Sequence, residues 1–223
     1  MKKQVINLVQ KAVSIVDLNF ASRMRLMKRP RRINVYDGMD YIRFSSLELC
    51  AFEIYDRNIP GSVAELGVYK GEFAERISAA FPDRTFYLFD TFTGFDTRDI
   101  TVDQQDKLST GEQDFSDTSV PAVLKRINHA GNCVVKQGFF PETATDVDDT
   151  FVFVSIDTDL YQPIYEGLTF FYPRLQKGGS IFVHDYNNDG YKGAKKAVRD
   201  FCSEFGVGFF PLSDCTGSAV ITK

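Results

Sequence analysis

From about residue 62 onward, short β-rich runs alternate with helical segments, and this alternation most constrains the fold. Such alternation is typical of a doubly wound α/β domain with a mostly parallel sheet, and 223 residues suffice for one such domain. The predicted strands are Val63–Leu66, Thr85–Phe89, Cys133–Val135, Phe151–Ile156 and Ser180–Val183. The predicted helices are Glu72–Ala80 and Gly193–Phe201, and a closing hairpin is predicted at Phe209-Phe210 and Ser218–Ile221.

The segments outside this alternation predict the domain organisation. Residues 1–61 contain an amphipathic helix and a second helix near Tyr41–Tyr55, and we expect them to form an N-terminal helical cap on the ligand-binding domain at 62–223. Residues 96–119 are polar and acidic and predict a long loop. Loops of that length in compact domains are usually lids or disordered segments.

Composition excludes several classes of protein. The net charge of −4 gives no reason to expect nucleic acid as a partner. No stretch approaches about 20 apolar residues, so we expect no transmembrane segment. The four cysteines form no CxxC pair, which predicts free thiols and a reducing, cytoplasmic location.

Chemically versatile residues follow nearly every predicted strand. They are Glu65-Leu66-Gly67, Asp90, Gln137-Gly138, Asp157 and His184-Asp185. Ligands of open parallel sheets bind outside the carboxyl ends of the strands, near the point where the strand order reverses. The sequence therefore predicts that these residues share one site.

The turn after the first strand predicts a nucleoside-type cofactor. Its pattern, Glu65-x-Gly67-x-x-x-Gly71, is not the GxGxxG of dinucleotide binders. Gly67 permits a tight turn that approaches a ligand closely, and Asp90 can accept hydrogen bonds from ribose hydroxyls. Residues 68–70 crowd the space a pyrophosphate needs, which favours S-adenosylmethionine over NAD. The alternative is that Gly67 is only a turn residue and Asp90 a helix cap.

Asp157, His184 and Asp185 are the candidate ligands of a divalent cation. His184 and Asp185 can reach one ion only where their strand has ended, because adjacent residues on a strand point to opposite faces. Carboxylates favour Mg²⁺, whereas an imidazole suits Mn²⁺, Fe²⁺ or Zn²⁺ better. In the alternatives, Asp157 binds the amino group of the cofactor, His184 acts as a base, and Asp159 is a helix N-cap.

Six motifs, in order, resemble the macrocin O-methyltransferase family. They are Glu65-Leu66-Gly67-Val68-Tyr69-Lys70-Gly71, Phe89–Phe95, Gly138–Thr143, Ile156–Tyr161, Tyr172-Pro173-Arg174-Leu175 with Gly178-Gly179, and His184-Asp185-Tyr186. The resemblance implies a Rossmann-like class I methyltransferase with a seven-strand, mostly parallel sheet and helices on both faces. It also implies dependence on S-adenosylmethionine and on a divalent metal.

The resemblance assigns residues to roles. We expect the cofactor to contact Glu65, Gly67, Tyr69, Gly71, Asp90, Thr91, Gly138 and Asp157. The resemblance implies a metal held by Asp157 and by an Asp-Asp pair, whose second member matches Asp185 and whose first member is replaced here by His184. That departure leaves His184 as a third ligand or as a base. The predicted catalytic residues are Asp157 and His184.

The sequence therefore predicts an O-methyltransferase. The resemblance implies that the acceptor is a hydroxyl of a sugar, glycoconjugate or natural product. A homodimer through the N-terminal cap is a further expectation. Two alternatives remain open at this point: a nicotinamide-dependent oxidoreductase, and a degenerate, non-catalytic methyltransferase-like binding protein.

Overall fold

A seven-stranded sheet organises the chain in the computed structural model, which describes Arg32, Ile33 and residues 40–223. The strands are β1 (Ser62–Leu66), β2 (Phe86–Asp90), β3 (Cys133–Gln137), β4 (Phe151–Ile156), β5 (Leu175–Val183), β6 (Phe209–Leu212) and β7 (Ser218–Thr222). Their order across the sheet is β3-β2-β1-β4-β5-β7-β6. Strands β1 to β5 run parallel, whereas β7 pairs antiparallel with β5 and with β6. The predicted mostly parallel sheet and closing hairpin are confirmed.

Helices cover both faces of the sheet. They are α1 (Tyr41–Asp56), α2 (Glu72–Ala80), α3 (Thr97–Gln105), α4 (Val120–Arg126), α5 (Tyr161–Arg174) and α6 (Lys192–Phe205). Successive residues of a strand face opposite sides, so Phe153 and Val154 of β4 enter different cores. Phe153 packs in the core that contains residues of α1, α2 and α4, and Val154 packs in the one that contains residues of α5 and α6.

Strand β5 is longer than predicted, because Gly178 and Gly179 belong to it and do not merely precede it. A Cβ at Gly179 would lie 2.7 Å from the carbonyl oxygen of Val152 on β4. Glycine therefore allows a close approach of two neighbouring strands at this position.

The predicted N-terminal cap lies mostly outside the described residues, which begin again at Asp40 after Ile33. Helix α1 confirms the second helix predicted there, and its Leu47 and Ala51 share a core with Val63 of β1. The division into a cap at 1–61 and a domain at 62–223 stays a prediction.

The strand order reverses between β1 and β4, which are neighbours in the sheet. Hydrogen bonds continue past the strand ends: the amide of Asp157 donates to the carbonyl of Leu66 at 2.8 Å, and that of His184 to Ile156 at 2.9 Å. The residues that follow β1, β4 and β5 are therefore held side by side at the reversal, where ligands bind in such sheets.

Two further expectations concern the cysteines and membrane-spanning helices. The four cysteines, all within the described residues, form no disulfide, as predicted. In the part of the chain that the structure describes, no helix has both the length and the apolar character needed to cross a membrane.

Candidate active site

A cleft of about 980 Å³ opens at the carboxyl ends of the parallel strands. Nine of the predicted site residues line it: Glu65, Gly67, Tyr69, Asp90, Thr91, Gly138, Asp157, His184 and Asp185. Gly71 is not among the lining residues. Its φ of +76° and its contact with Val123 give it a structural reason to be glycine at the start of α2, and its cofactor role stays a prediction.

Gly67, which directly follows β1, has a backbone conformation that few other residues adopt. Its φ is +87°, and a Cβ built on it would lie 2.1 Å from the carbonyl oxygen of Asp157. The close approach in the structure is to the backbone that follows β4, and the approach of Gly67 to a ligand stays a prediction. The turn after β1 and the segment after β4 can contact each other because Gly67 has no side chain.

Asp90 braces the turn that follows β1. Its Oδ2 accepts hydrogen bonds from the amides of Val68 and Tyr69 at 2.7 and 2.8 Å, and its Oδ1 accepts one from Phe92 at 2.6 Å. No helix begins at Asp90, so the helix-cap alternative is wrong. Oδ1 makes one of these bonds only and retains capacity for a ribose hydroxyl.

Glu65 places a buried carboxyl group on the last part of β1. It is 1% exposed, and its Oε2 has no hydrogen-bond partner among the described residues. Burial, together with the nearby charges of Asp157 and Asp90, raises the pKa of Glu65 well above its ordinary value, although Arg43 opposes the shift. A buried acceptor without a partner is costly, so this group is prepared for a donor supplied by a ligand.

Asp157, His184 and Asp185 meet in one cluster. His184 Nδ1 lies 3.0 Å from Asp157 Oδ1 and 2.9 Å from Asp185 Oδ2. His184 Nε2 lies 3.1 Å from the hydroxyl of Thr216, and Asn188 donates to Asp185 Oδ1 at 2.8 Å. One ligand atom from each member of the triad lies within 4.8 Å of the others, so the donor set fits a divalent cation.

The electrostatics of this cluster are those of a tightly coupled group. Burial lowers the pKa of His184, but the carboxylate of Asp157 and hydrogen bonds to both aspartates overcome it and raise that pKa to about 10. Burial raises the pKa of Asp185, yet hydrogen bonds from His184 and Asp159 hold it below its usual range. Perturbed titration of this kind concentrates at functional sites.

Asp159 is a functional candidate that the sequence reading treated only as a helix cap. That alternative is wrong, because α5 begins at Tyr161 with Leu160 at the N-cap position. Asp159 lines the cleft, and burial together with the charges of Asp157 and Asp185 raises its pKa well above the ordinary value. Asp159 and Asp185 both have positive φ, at 61° and 54°, which aspartate tolerates better than most residues.

Arg43 was missed by sequence reasoning altogether. It lies in the first turn of α1, is 6% exposed, and reaches across to the end of β4. Its Nη2 donates to Asp157 Oδ2 at 3.0 Å. No local signal points to this contact, since 114 positions separate the two residues along the chain.

Residues 96–119, which we call the cover segment, are more ordered than the sequence suggested. They include α3, whose Asp103 Oδ1 accepts a hydrogen bond from the amide of Tyr161 at 2.9 Å and so caps α5. Phe115 packs edge-on against Tyr69 and Phe95, both of which line the cleft. The cover segment therefore contacts the turn after β1 and the start of α5.

Asp99 of α3 makes the stability of the protein depend on pH. Burial first, and then the charge of Asp96, raises its pKa from 3.8 to about 7. Between those values the folded chain keeps a proton that the unfolded chain has lost, so this group's contribution to stability falls as pH rises. We expect Asp99→Asn to melt close to the wild type at pH 4 and above it at pH 8, as measured by thermal unfolding.

The matched control is Asp114→Asn in the same cover segment. Asp114 is exposed, and hydrogen bonds from Ser116 lower its pKa. Its replacement should produce no gain at pH 8. An Asp99→Asn variant whose melting temperature tracks the wild type from pH 4 to pH 8 would contradict the expectation.

The chain is similar in sequence to enzymes that methylate natural products. A family model described as macrocin-O-methyltransferase (TylF) matches residues 6–220. Mycinamicin III 3''-O-methyltransferase of Micromonospora griseorubida is 27% identical over 179 residues, covering 74% of this chain and 69% of the relative. Demethyldecarbamoylnovobiocin O-methyltransferase of Streptomyces niveus is 24% identical over 205 residues, covering 86% and 77%.

Solved structures share the fold. The O-methyltransferase NovP superposes with a TM-score of 0.68 at 22% identity, covering 82% of this chain and 80% of that one. Calicheamicin methyltransferase CalS11 superposes with a TM-score of 0.65 at 21% identity, covering 81% and 78%. At these identities the likeness supports the Rossmann-like class I methyltransferase fold and nothing finer.

Proposed function

The chain belongs to the macrocin O-methyltransferase family, and from this premise we propose that it methylates a hydroxyl of a sugar or glycosylated natural product. S-adenosylmethionine is the methyl donor. The observation that carries the proposal is the meeting of two strand-end groups in one cleft. The Glu65–Gly67 turn suits the cofactor, and the cluster of Asp157, His184 and Asp185 lies beside it.

The cofactor half of the site is assigned to the turn after β1 and to Asp90. Glu65 offers its unpartnered carboxyl oxygen to a donor such as the amino group of the cofactor. Asp90 keeps acceptor capacity for a ribose hydroxyl while it holds the amides of Val68 and Tyr69. The turn presents no row of free amides to a pyrophosphate, in agreement with a cofactor that lacks one.

The chemical step joins an acceptor oxygen to the methyl carbon of the sulfonium. A C–O bond forms as the C–S bond breaks, S-adenosylhomocysteine leaves, and the hydroxyl proton passes to a base. Asp157 and His184 are the proposed catalytic pair, since Asp157 Oδ1 and His184 Nδ1 are 3.0 Å apart within the cleft. Asp159 lines the same cleft, but its raised pKa favours the protonated carboxyl group, so it is not the proposed base.

A divalent cation is part of this proposal. Asp157, His184 and Asp185 would hold it, and when bound it would lower the pKa of an acceptor hydroxyl and orient the acceptor oxygens. Two carboxylates suit Mg²⁺, while the imidazole nitrogen of His184 favours Mn²⁺ or another borderline ion. With the cation bound, His184 would act as a metal ligand, and Asp157 would remain the candidate base.

Family membership bears on the two alternatives. The oxidoreductase interpretation is wrong, because the family is one of O-methyltransferases. A degenerate binding domain is disfavoured by the acidic groups Glu65, Asp90, Asp157 and Asp185, which all line the cleft. We further propose a cytoplasmic location and a homodimer formed through residues 1–61, most of which lie outside the described residues.

Binding of S-adenosylhomocysteine tests the cofactor assignment. At 100 times its dissociation constant, this ligand should raise the free energy of unfolding by about 2.7 kcal/mol, because it binds only the folded chain. Thermal unfolding with and without ligand measures the shift, and NAD at the same concentration is the control, expected to have no effect. A calorimetric titration without heat, together with an unchanged melting temperature, would overturn the assignment.

A further inference from the structure

Arg43 brings a buried positive charge to the cluster that is proposed to bind a cation. The side chain of Asp40, at the N-cap of α1, accepts a hydrogen bond from the Arg43 amide at 3.2 Å and thereby fixes the first turn of the helix. The guanidinium then stacks 3.9 Å above the ring of Phe73. Because two separate elements hold Arg43, its charge is a fixed part of the site.

The contacts of Arg43 divide the two oxygens of Asp157 between different partners. Nη2 of Arg43 donates to Asp157 Oδ2 at 3.0 Å and to the hydroxyl of Ser155 at 3.3 Å. Asp157 Oδ1 points the other way and lies 3.0 Å from His184 Nδ1. Oδ2 of Asp157 is therefore paired with the guanidinium group of Arg43, and only Oδ1 faces the cluster.

We propose that Arg43 is a positioning residue that sets the cation affinity of the cluster. It orients Asp157 so that Oδ1 alone is offered to a metal, and its positive charge keeps the affinity for a divalent ion low. This inference rests on the proposed function, because it concerns the cation proposed there. Its consequence is a weakly held ion, whose binding needs further oxygen ligands such as those of the acceptor.

The two effects of Arg43 on metal affinity have opposite signs, and their relative size decides the experiment. Without the hydrogen bond from Arg43, the side chain of Asp157 would be less fixed in orientation, and this would weaken metal binding slightly. Removing a full charge within a few ångströms of a doubly charged ion strengthens binding much more, because the two repel in a partly buried, low-dielectric site. We therefore expect tighter binding when the charge is removed.

The experiment is a calorimetric titration of Mn²⁺ into the full chain and its variants. Arg43→Met keeps a long side chain against Phe73 but removes the charge, and its dissociation constant for Mn²⁺ should fall at least about tenfold. Arg43→Lys keeps the charge and should stay within about threefold of the wild type. Arg126→Met removes an arginine that pairs with Glu72 and Glu75 on α2, and should leave Mn²⁺ affinity unchanged.

The outcomes separate this inference from the function on which it rests. Binding of S-adenosylhomocysteine by each variant shows that the fold and the cofactor site are intact. Tighter Mn²⁺ binding by Arg43→Met alone supports the inference, and general damage to the fold would not produce it. Equal or weaker binding by Arg43→Met overturns the role of Arg43 while leaving the metal site standing. Absence of Mn²⁺ binding in every variant overturns the metal site and the inference together.

Discussion

Asp157→Asn should reduce methyl transfer by about a thousandfold, within the range typical of the loss of a general base or an essential charge. The side chain keeps its shape but loses the negative charge that His184 and Arg43 share. The rate is measured as S-adenosylhomocysteine release, on the glycoside or nucleotide sugar from a panel that the wild type methylates fastest. Mn²⁺ binding should weaken in parallel, because one of two carboxylate ligands is gone.

Asp200→Asn is the matched control for this prediction. Asp200 is a half-exposed carboxylate of α6 that pairs with Lys196, outside the cleft, so its replacement should leave the rate within about twofold. Retention of a tenth or more of wild-type activity by Asp157→Asn would remove Asp157 from the chemistry. A large loss of S-adenosylhomocysteine affinity in the same variant would instead place Asp157 against the cofactor.

Gly67→Ala should destabilise the fold by about 3 kcal/mol or more and abolish binding of S-adenosylhomocysteine. The added methyl group would lie 2.1 Å from the carbonyl oxygen of Asp157, and the φ of +87° is strained for any residue with a Cβ. Neither β1 nor β4 can give way easily, because they are hydrogen-bonded neighbours near the centre of the sheet. Chemical denaturation followed by circular dichroism measures the loss.

Gly131→Ala is the comparison, since a Cβ there meets nothing within 4 Å. That variant should be as stable as the wild type or slightly more so, because alanine restricts the unfolded chain. If both alanine variants unfold at the same denaturant concentration, the close contact between the two turns does not limit the structure.

Sequence patterns predicted those elements whose apolar residues are consecutive or regularly spaced along the chain. Strand β4 is a run of six buried residues with the bounds predicted for it. Of the polar residues predicted to share a site at the strand ends, all but Gln137 line one cleft. Helix α3 escaped prediction because its only buried residues are Asp99 and Asp103. A helix that buries carboxylates at a site has no apolar periodicity to reveal it.

The sequence predicted which polar residues lie at the candidate site, but not which side chains from distant segments contact them. The sequence indicates Asp157, His184 and Asp185 as candidates because they directly follow β-rich runs. Arg43 belongs to a helix that precedes the sheet, and only the packing of α1 near β1 and β5 brings it to Asp157. The alternative that Asp159 is a cap rests on the frequency of aspartate at helix starts, whereas the amide of Tyr161 at the start of α5 is capped by Asp103, 58 positions earlier.

That distant cap links α3 to the order of the segment that follows β4. Tyr161, whose amide it holds, follows Asp157 and Asp159 by only a few residues. If α3 moved away from α5, the amide of Tyr161 would lose its acceptor, and the segment that carries Asp157 and Asp159 would be less firmly held. A displacement of α3 would therefore reach the proposed site through one hydrogen bond between residues that lie 58 positions apart in the chain.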